Sequence, residues 1–137
     1  MSLPYFKTFY MLSSTTFCAE TLLLMTDRGM KVISIATIIR VEAISNYSKL
    51  YFCDGKTLVV ARVLQWFENV LPANCFVRIH RTHLLNLQWL QTYRQTALQT
   101  VLYNGQVLPV SRRKLKGTTT AVSLWFEAKA PAVISSS

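Results

Sequence analysis

Short runs of β-branched and aromatic residues, each followed within a few positions by a turn-forming segment, set the strongest limit on how this chain can fold. The clearest turn signal is Asn104-Gly105, a dipeptide that two-residue hairpins prefer. Segments 27–29 and 54–56 also carry glycine between apolar runs. The pattern predicts antiparallel hairpins, arranged as small sheets joined by tight turns.

The strand-like runs outnumber every other pattern, which predicts a mostly β protein. They are 21–25, 30–35, 38–44, 49–53, 57–60, 75–79, 89–93, 100–103 and 107–110. Segment 62–71 breaks the rhythm, because Leu64, Phe67 and Val70 follow helical spacing and Pro72 ends the pattern. We expect one short helix there, and no other substantial helix.

The chain has 137 residues, which is about the length of one domain. We expect the domain proper over 20–117, followed by a strand or helix of the same domain over 118–127. Residues 1–19 have no clear period and are interpreted as an extension: an added strand, a disordered arm or an inter-chain contact. Residues 128–137 are mostly Ala, Pro and Ser, which predicts a disordered tail.

Positive charge is concentrated in the middle of the chain. Fifteen Lys and Arg against six Asp and Glu give a net charge of +9. Between residues 40 and 117 there are eleven basic and three acidic residues, so this segment carries +8 of the total. A polyanion is the natural partner of such a segment, and a solvated basic surface is the alternative interpretation.

The nucleophilic and titratable residues do not form the patterns of a catalytic or metal site. The three cysteines are far apart and without a Cys-x-x-Cys pair, which argues against a zinc site and against a disulfide framework. His80 and His83 are three residues apart, so a strand would place them on opposite faces. The acidic residues are scattered, and no Gly-rich phosphate loop is found. The sequence predicts no enzyme, no cofactor and no metal.

The apolar stretches are too short for a membrane span, which needs about 18 residues. The N-terminal residues also lack a convincing signal-peptide core and cleavage site. Together with the cysteine usage, these features predict a cytoplasmic protein without a membrane partner.

Three polar segments, 46–49, 78–83 and 111–114, fall between predicted strands and mix cations with hydroxyl or amide groups. Arginine can donate two hydrogen bonds to guanine, whereas Lys, Ser, Thr and Tyr suit phosphate oxygens. The mixture favours reading of a DNA groove. The alternatives are solvated basic loops and a protein-interaction module that binds an acidic regulatory partner.

Four motifs follow one another in a fixed order. They are Ile-Ile-Arg-Val-Glu-Ala at 38–43, Asn-Tyr-Ser-Lys at 46–49, Phe-Val-Arg-Ile-His-Arg-Thr-His-Leu-Leu-Asn at 76–86 and Leu-Pro-Val-Ser-Arg-Arg at 108–113. In order and spacing they resemble the LytTR family of bacterial DNA-binding domains, over about residues 20–117. The resemblance implies an all-β fold of about ten strands in three small antiparallel sheets. It also implies loops that enter successive major grooves of bent double-stranded DNA.

The same resemblance implies roles for individual residues. Contacts with base edges fall to Ser48, Arg81 and Arg112. Contacts with phosphates fall to Asn46, Tyr47, Lys49, Thr82, Arg113 and Lys114. His80 and Asn86 are expected to be structural in the loop region. The family further implies a transcriptional regulator or response-regulator output domain on direct-repeat DNA sites, acting as a homodimer or as monomers bound in tandem.

Overall fold

The computed structural model describes residues 20–129. Over this range the chain forms ten strands and two α-helices. The strands are β1 (Thr21–Thr26), β2 (Gly29–Ser34), β3 (Ile38–Ile44), β4 (Tyr47–Phe52), β5 (Thr57–Val60), β6 (Phe76–His80), β7 (His83–Asn86), β8 (Leu90–Arg94), β9 (Gln99–Leu102) and β10 (Val107–Pro109). The helices are α1 (Leu64–Val70) and α2 (Leu115–Lys129).

Three antiparallel sheets organise these strands. β1 and β2 form a two-stranded sheet, β10-β9-β8 a three-stranded sheet, and β5-β4-β3-β7-β6 a five-stranded sheet. The predicted turns at 27–29, 54–56 and 104–105 each join two paired strands. The prediction of an all-β fold with about ten strands in three small antiparallel sheets is confirmed.

The five-stranded sheet is centred on β3, which pairs with β4 on one side and with β7 on the other. Val41 lies opposite Leu50 in β4 and opposite Leu84 in β7, and all three side chains are fully buried. The next residues along each strand point to the other face, because side chains alternate along a strand. One face of this sheet therefore belongs to the core, and the other carries the buried Arg40 and Leu85 together with more accessible polar residues.

Helix α1 packs its apolar side chains into this core. Leu64 and Phe67 are buried, and the helix ends at Val70, just before Leu71 and Pro72. The helix predicted over 62–71 is therefore present, although shorter by a few residues. Boundaries of this kind vary by one or two residues because helix ends fray.

Helix α2 corrects the expectation that α1 would be the only substantial helix. It has 15 residues and buries Thr118, Val122 and Trp125, a spacing that forms one stripe along a helix. It begins at Leu115, so the domain boundary expected at residue 117 falls inside it. Ala128 and Lys129 are helical, whereas the rest of the expected tail and the extension 1–19 lie outside the described residues.

The cysteines differ from expectation at one position. Cys53 is an exposed free thiol. Cys75 is buried and disulfide-bonded. The argument from the sequence against a disulfide is therefore wrong for Cys75. Over residues 20–129, no helix is long and apolar enough to cross a membrane.

A buried amide fastens the middle of the five-stranded sheet. Asn86 is fully buried at the end of β7, and its Nδ2 donates to the backbone oxygen of Ile38 at 2.8 Å. Its Oδ1 accepts from the backbone nitrogen of Gln88 at 3.0 Å and caps the 3-10 turn Leu87–Trp89. One side chain therefore serves both the start of β3 and the turn after β7.

We expect Asn86→Ala to lower the free energy of unfolding by about 1–3 kcal/mol, because the Ile38 carbonyl would remain buried without its donor. Urea denaturation measures the change. Asn69→Ala, the same substitution at an exposed position of α1, is the matched control and should shift stability by less than about 0.5 kcal/mol. Equal effects of the two substitutions would contradict the assigned role of Asn86.

Candidate nucleic-acid interface

Two of the predicted loops lie side by side at one end of the five-stranded sheet. The β3–β4 turn consists of Ser45 and Asn46, and the β6–β7 turn consists of Arg81 and Thr82. The backbone nitrogen of Ala43, near the end of β3, donates to the Thr82 oxygen at 2.9 Å. Pairing of β3 with β7 therefore brings these turns together, although about 35 residues separate them in sequence.

The third loop reaches the same end through a backbone hydrogen bond. The nitrogen of Ser111 donates to the oxygen of Ile79 in β6 at 2.9 Å. The Ser111 hydroxyl accepts from the nitrogen of Lys114 at 3.2 Å and caps the 3-10 turn Arg112–Lys114. The fold thus collects all three polar segments that the sequence singled out.

An open groove of about 600 Å³ lies between the second and third loops. Among residues 20–129, only one carboxylate lines it, that of Glu68, and this group is paired with Arg78 at 2.7 Å. The other lining side chains are neutral or cationic, so the local field is positive. The groove is lined by Gln65, Glu68, Arg78, His80, Arg81, Ser111, Arg113 and Lys114.

The three residues that the resemblance assigned to base edges differ in accessibility. Arg81 and Arg112 are exposed. Ser48 is fully buried, and its hydroxyl donates to the Arg62 oxygen at 2.6 Å. The reason is that β4 begins at Tyr47, so the loop is shorter than the polar run suggested and Ser48 points into the core. In this structure the Ser48 hydroxyl is therefore turned away from the surface on which its base contact was expected.

The first loop presents its remaining polar residues outward. Asn46 lies in the turn and is exposed. Tyr47 follows it and is 48% exposed, so both side chains are accessible. Lys49 is half-buried, with its ammonium 5.2 Å from the centre of the Tyr51 ring. Ser45 has a φ of 57°, an uncommon value for a residue other than glycine, so the turn is tightly constrained.

The second and third loops differ in how firmly their polar side chains are held. His80 Nδ1 accepts from the Thr82 backbone nitrogen at 3.2 Å and lies 2.9 Å from the Thr82 hydroxyl. This imidazole therefore braces the turn from within. Arg113 is exposed, and Lys114 is half-buried at the groove.

Not every basic residue of the central segment is available to a polyanion. The guanidinium of Arg40 stacks on the Tyr51 ring, 3.7 Å from its centre, and only 7% of the residue is exposed. Its Nε donates to Oε1 of Gln106 at 3.1 Å, and its Nη1 lies 3.5 Å from Glu42. Since Gln106 belongs to the β9–β10 turn, Arg40 joins two sheets. Arg40 is one of the basic residues that the sequence places in the central segment, and its contacts inside the protein were not predicted.

The histidines also differ from expectation. His80 and His83 are partners across the β6–β7 turn, with ring centres 5.5 Å apart, because a two-residue turn separates them. The prediction that they lie on opposite faces of one strand is wrong. Among residues 20–129, no cluster of three or more His, Cys, Asp or Glu side chains could hold a metal ion.

His83 occupies an unfavourable place for a positive charge. Burial and then the nearby Arg40 lower the pKa of His83, while Glu42 opposes this shift and His80 adds to it. No hydrogen-bond partner for the buried Nδ1 of His83 is found among the described residues. Glu42 itself has a lowered pKa: burial raises it, but the Tyr51 hydroxyl donates to it at 2.7 Å and Arg40 is close.

Comparison with known proteins identifies relatives of this domain. The family model described as "LytTr DNA-binding domain" matches residues 28–122. The LytTr DNA-binding domain of a methyl-accepting/DNA response regulator from Bacillus cereus has a similar structure, with a TM-score of 0.64 and 23% sequence identity. The alignment covers 74% of this chain and 95% of that domain, which supports the fold.

Two longer proteins match part of the sequence. "Sensory transduction protein LytT" of Enterococcus faecalis is 35% identical over 68 residues, which cover 47% of this chain and 28% of that protein. "Sensory transduction protein LytR" of Streptococcus agalactiae is 33% identical over 64 residues, 44% of this chain and 26% of that protein. The matched part of the chain thus spans about a quarter of the length of these relatives.

The lowered pKa of His83 predicts that acid weakens the fold. The unfolded chain binds a proton at His83 near its ordinary pKa of about 6.5, whereas the folded chain resists protonation. Stability from this site is therefore complete above about pH 7 and is lost as the pH falls through 6.5 toward the lowered pKa. We expect the free energy of unfolding of His83→Gln to depend less on pH than that of the unmodified chain.

Urea denaturation at about pH 8 and pH 5.5 measures this difference. The value at pH 8 serves as the reference for each protein, so that any constant effect of the substitution cancels. Parallel pH profiles for the two proteins would rule out His83 as the source of the acid sensitivity.

Proposed function

Because this chain belongs to the LytTR family of DNA-binding domains, we propose that it binds specific double-stranded DNA sequences and regulates transcription. In this proposal its loops enter successive major grooves. The observation that carries it is the convergence of three separate polar segments at one end of the five-stranded sheet, where a groove between the second and third loops is lined mainly by neutral and cationic side chains and its described carboxylate, Glu68, is paired with Arg78. The charge of such a surface matches a nucleic-acid backbone better than it matches an uncharged partner.

Two exposed arginines are the proposed readers of sequence. Arg81 stands on the β6–β7 turn and Arg112 on the 3-10 turn after β10, and each can donate two hydrogen bonds to O6 and N7 of guanine. Ser48 has no part in this contact because its hydroxyl is buried and bonded. In this proposal the preference for a DNA sequence depends on Arg81 and Arg112, and each arginine can be tested by its own substitution.

The remaining polar residues of the loops are proposed to hold the phosphates. Lysine, tyrosine, threonine and asparagine side chains all donate to phosphate oxygens without distinguishing bases. The proposed phosphate contacts are Asn46, Tyr47, Lys49, Thr82, Arg113 and Lys114. They lie in the same three loops, with Thr82 next to Arg81 and Arg113 next to Arg112 in the chain, so they would fix the register in which the arginines read.

The proposal extends to the form of the DNA site and to the place of action. We propose direct-repeat sites, bound by monomers in tandem or by a homodimer, and action in the bacterial cytoplasm, where the DNA lies. The relatives LytT and LytR are named as sensory transduction proteins. We therefore place the chain in signal-dependent control of transcription.

Selection of bound duplexes from a random pool tests the proposal directly. The purified chain should enrich a motif, and the folded Arg81→Ala, Arg112→Ala double variant should lose it. A folded chain that enriches nothing would refute DNA reading and favour binding of an acidic protein.

We expect Arg112→Ala and Lys114→Ala to weaken binding in different ways. Loss of Arg112 should cost about 1–3 kcal/mol on the selected site and relax preference at one base pair. Loss of Lys114 should weaken all duplexes alike and make the slope of log K against log salt shallower by about 0.9.

Fluorescence anisotropy over a salt series measures both quantities. Lys31→Ala is the matched control, because Lys31 lies in a different groove, near Asp54 and Lys56, and its loss removes one charge away from the loops. Equal losses for the Lys31, Lys114 and Arg112 variants would mean that only net charge matters, which would contradict the assigned contacts.

A further inference from the structure

Arg78 lines the groove, but its guanidinium group is hydrogen-bonded to the protein itself. Its Nη2 donates to the Arg81 oxygen at 2.7 Å and its Nε to the His80 oxygen at 3.0 Å. Its Nη1 lies 2.7 Å from Oε1 of Glu68 on α1. All three nitrogens therefore have protein partners, and only 19% of the side chain is exposed.

The backbone that Arg78 holds is irregular. The pairing of β6 with β7 shifts register between Arg78 and His80, as in a β-bulge, and the two-residue turn follows at once. Backbone oxygens in such a segment need donors other than those of the regular ladder. A planar guanidinium can reach two successive carbonyl oxygens together, whereas the single ammonium of lysine cannot reproduce that fork.

Glu68 places a negative charge in a groove that is proposed to bind a negatively charged partner. In the described part of the chain it is the only carboxylate that lines a groove whose other charged members are cations, so it opposes the approach of a phosphate backbone. Its contact with Arg78 gives it a different use, since the pair ties the turn to α1. Arg78 is thereby turned away from the solvent and toward the carbonyl groups of the turn.

From this geometry we propose that Arg78 and Glu68 are positioning residues that set the aim of Arg81. The inference rests on the proposed function, because Arg81 is there the reader of a base edge. Arg78 fixes the carbonyl oxygen of Arg81 itself, so the direction in which the Arg81 side chain leaves the turn depends on this clamp. Sequence preference at the base pair read by Arg81 is therefore determined by two residues that do not touch the DNA.

Glu68→Gln tests the inference because two explanations predict opposite signs. If Glu68 only adds negative charge to the interface, its neutralisation tightens binding to all duplexes. If it positions Arg78, the variant binds the selected site about tenfold more weakly, as expected for the loss of a charge-assisted hydrogen bond, and discriminates less at the Arg81 base pair. Tighter binding with unchanged preference would overturn the proposal.

Arg78→Lys separates positioning from direct contact. Lysine keeps the charge, so a phosphate contact would survive with little change. The positioning role predicts weaker, less selective binding with an unchanged salt slope, because no phosphate contact is lost. Retained affinity and preference in Arg78→Lys would overturn the proposal.

A double-mutant cycle with Arg81→Ala excludes a general loss of structure. In the Arg81→Ala background, Arg78→Lys and Glu68→Gln should have little further effect on DNA binding, because the residue that they position is gone. Additive losses would overturn the proposal, and urea denaturation of each variant identifies any loss caused by unfolding.

If the unmodified chain prefers no duplex, the proposed function fails and this inference with it. A clear preference without the coupling refutes this inference alone.

Discussion

The pairing of β3 with β7 is the constraint on which the end of the five-stranded sheet that carries the polar loops depends. Each of the two strands carries a turn at the same end of the sheet, and their hydrogen bonds hold those turns next to each other. The buried amide of Asn86 strengthens this arrangement by tying the end of β7 to the start of β3. Two turns that are distant in sequence are thus adjacent because β3 pairs on both sides, and the third loop joins them through the hydrogen bond from Ser111 to Ile79 in β6.

The basic residues divide into two groups with different physical roles. Arg40 and Arg78 are held by stacking, by carboxylates and by polar oxygens of the protein, and they organise the fold. Arg81 and Arg112 are exposed on turns whose backbones are hydrogen-bonded from below. Because the backbone of each turn is already held by hydrogen bonds, binding needs to order only the exposed arginine side chain, which lowers the entropic cost of binding.

Local sequence patterns predicted the hairpins well because each turn is specified by two or three adjacent residues, as at Asn104-Gly105. The burial of Ser48 was not predicted, since the polar run 46–49 was interpreted as a loop, and only the extension of β4 back to Tyr47 gives Ser48 a fixed position on the same face as the buried Leu50. The partners of Arg40 and Arg78 were equally hidden, because Gln106 and Glu68 meet them only through tertiary structure. The stripe of Thr118, Val122 and Trp125 in α2 was visible in the sequence and was missed.

The dispersal of the three loops along the chain has a consequence for how the protein is made. The segment Arg112–Lys114 lies nearly seventy residues after the first turn. The end of the sheet that carries the three loops therefore contains long-range contacts, which form slowly compared with local hairpins. During synthesis, the hairpins can form as they emerge, but the complete surface cannot exist until the third loop has left the ribosome. A chain that ends before that point has the first two turns but lacks the third loop, and so lacks part of the surface proposed to bind DNA.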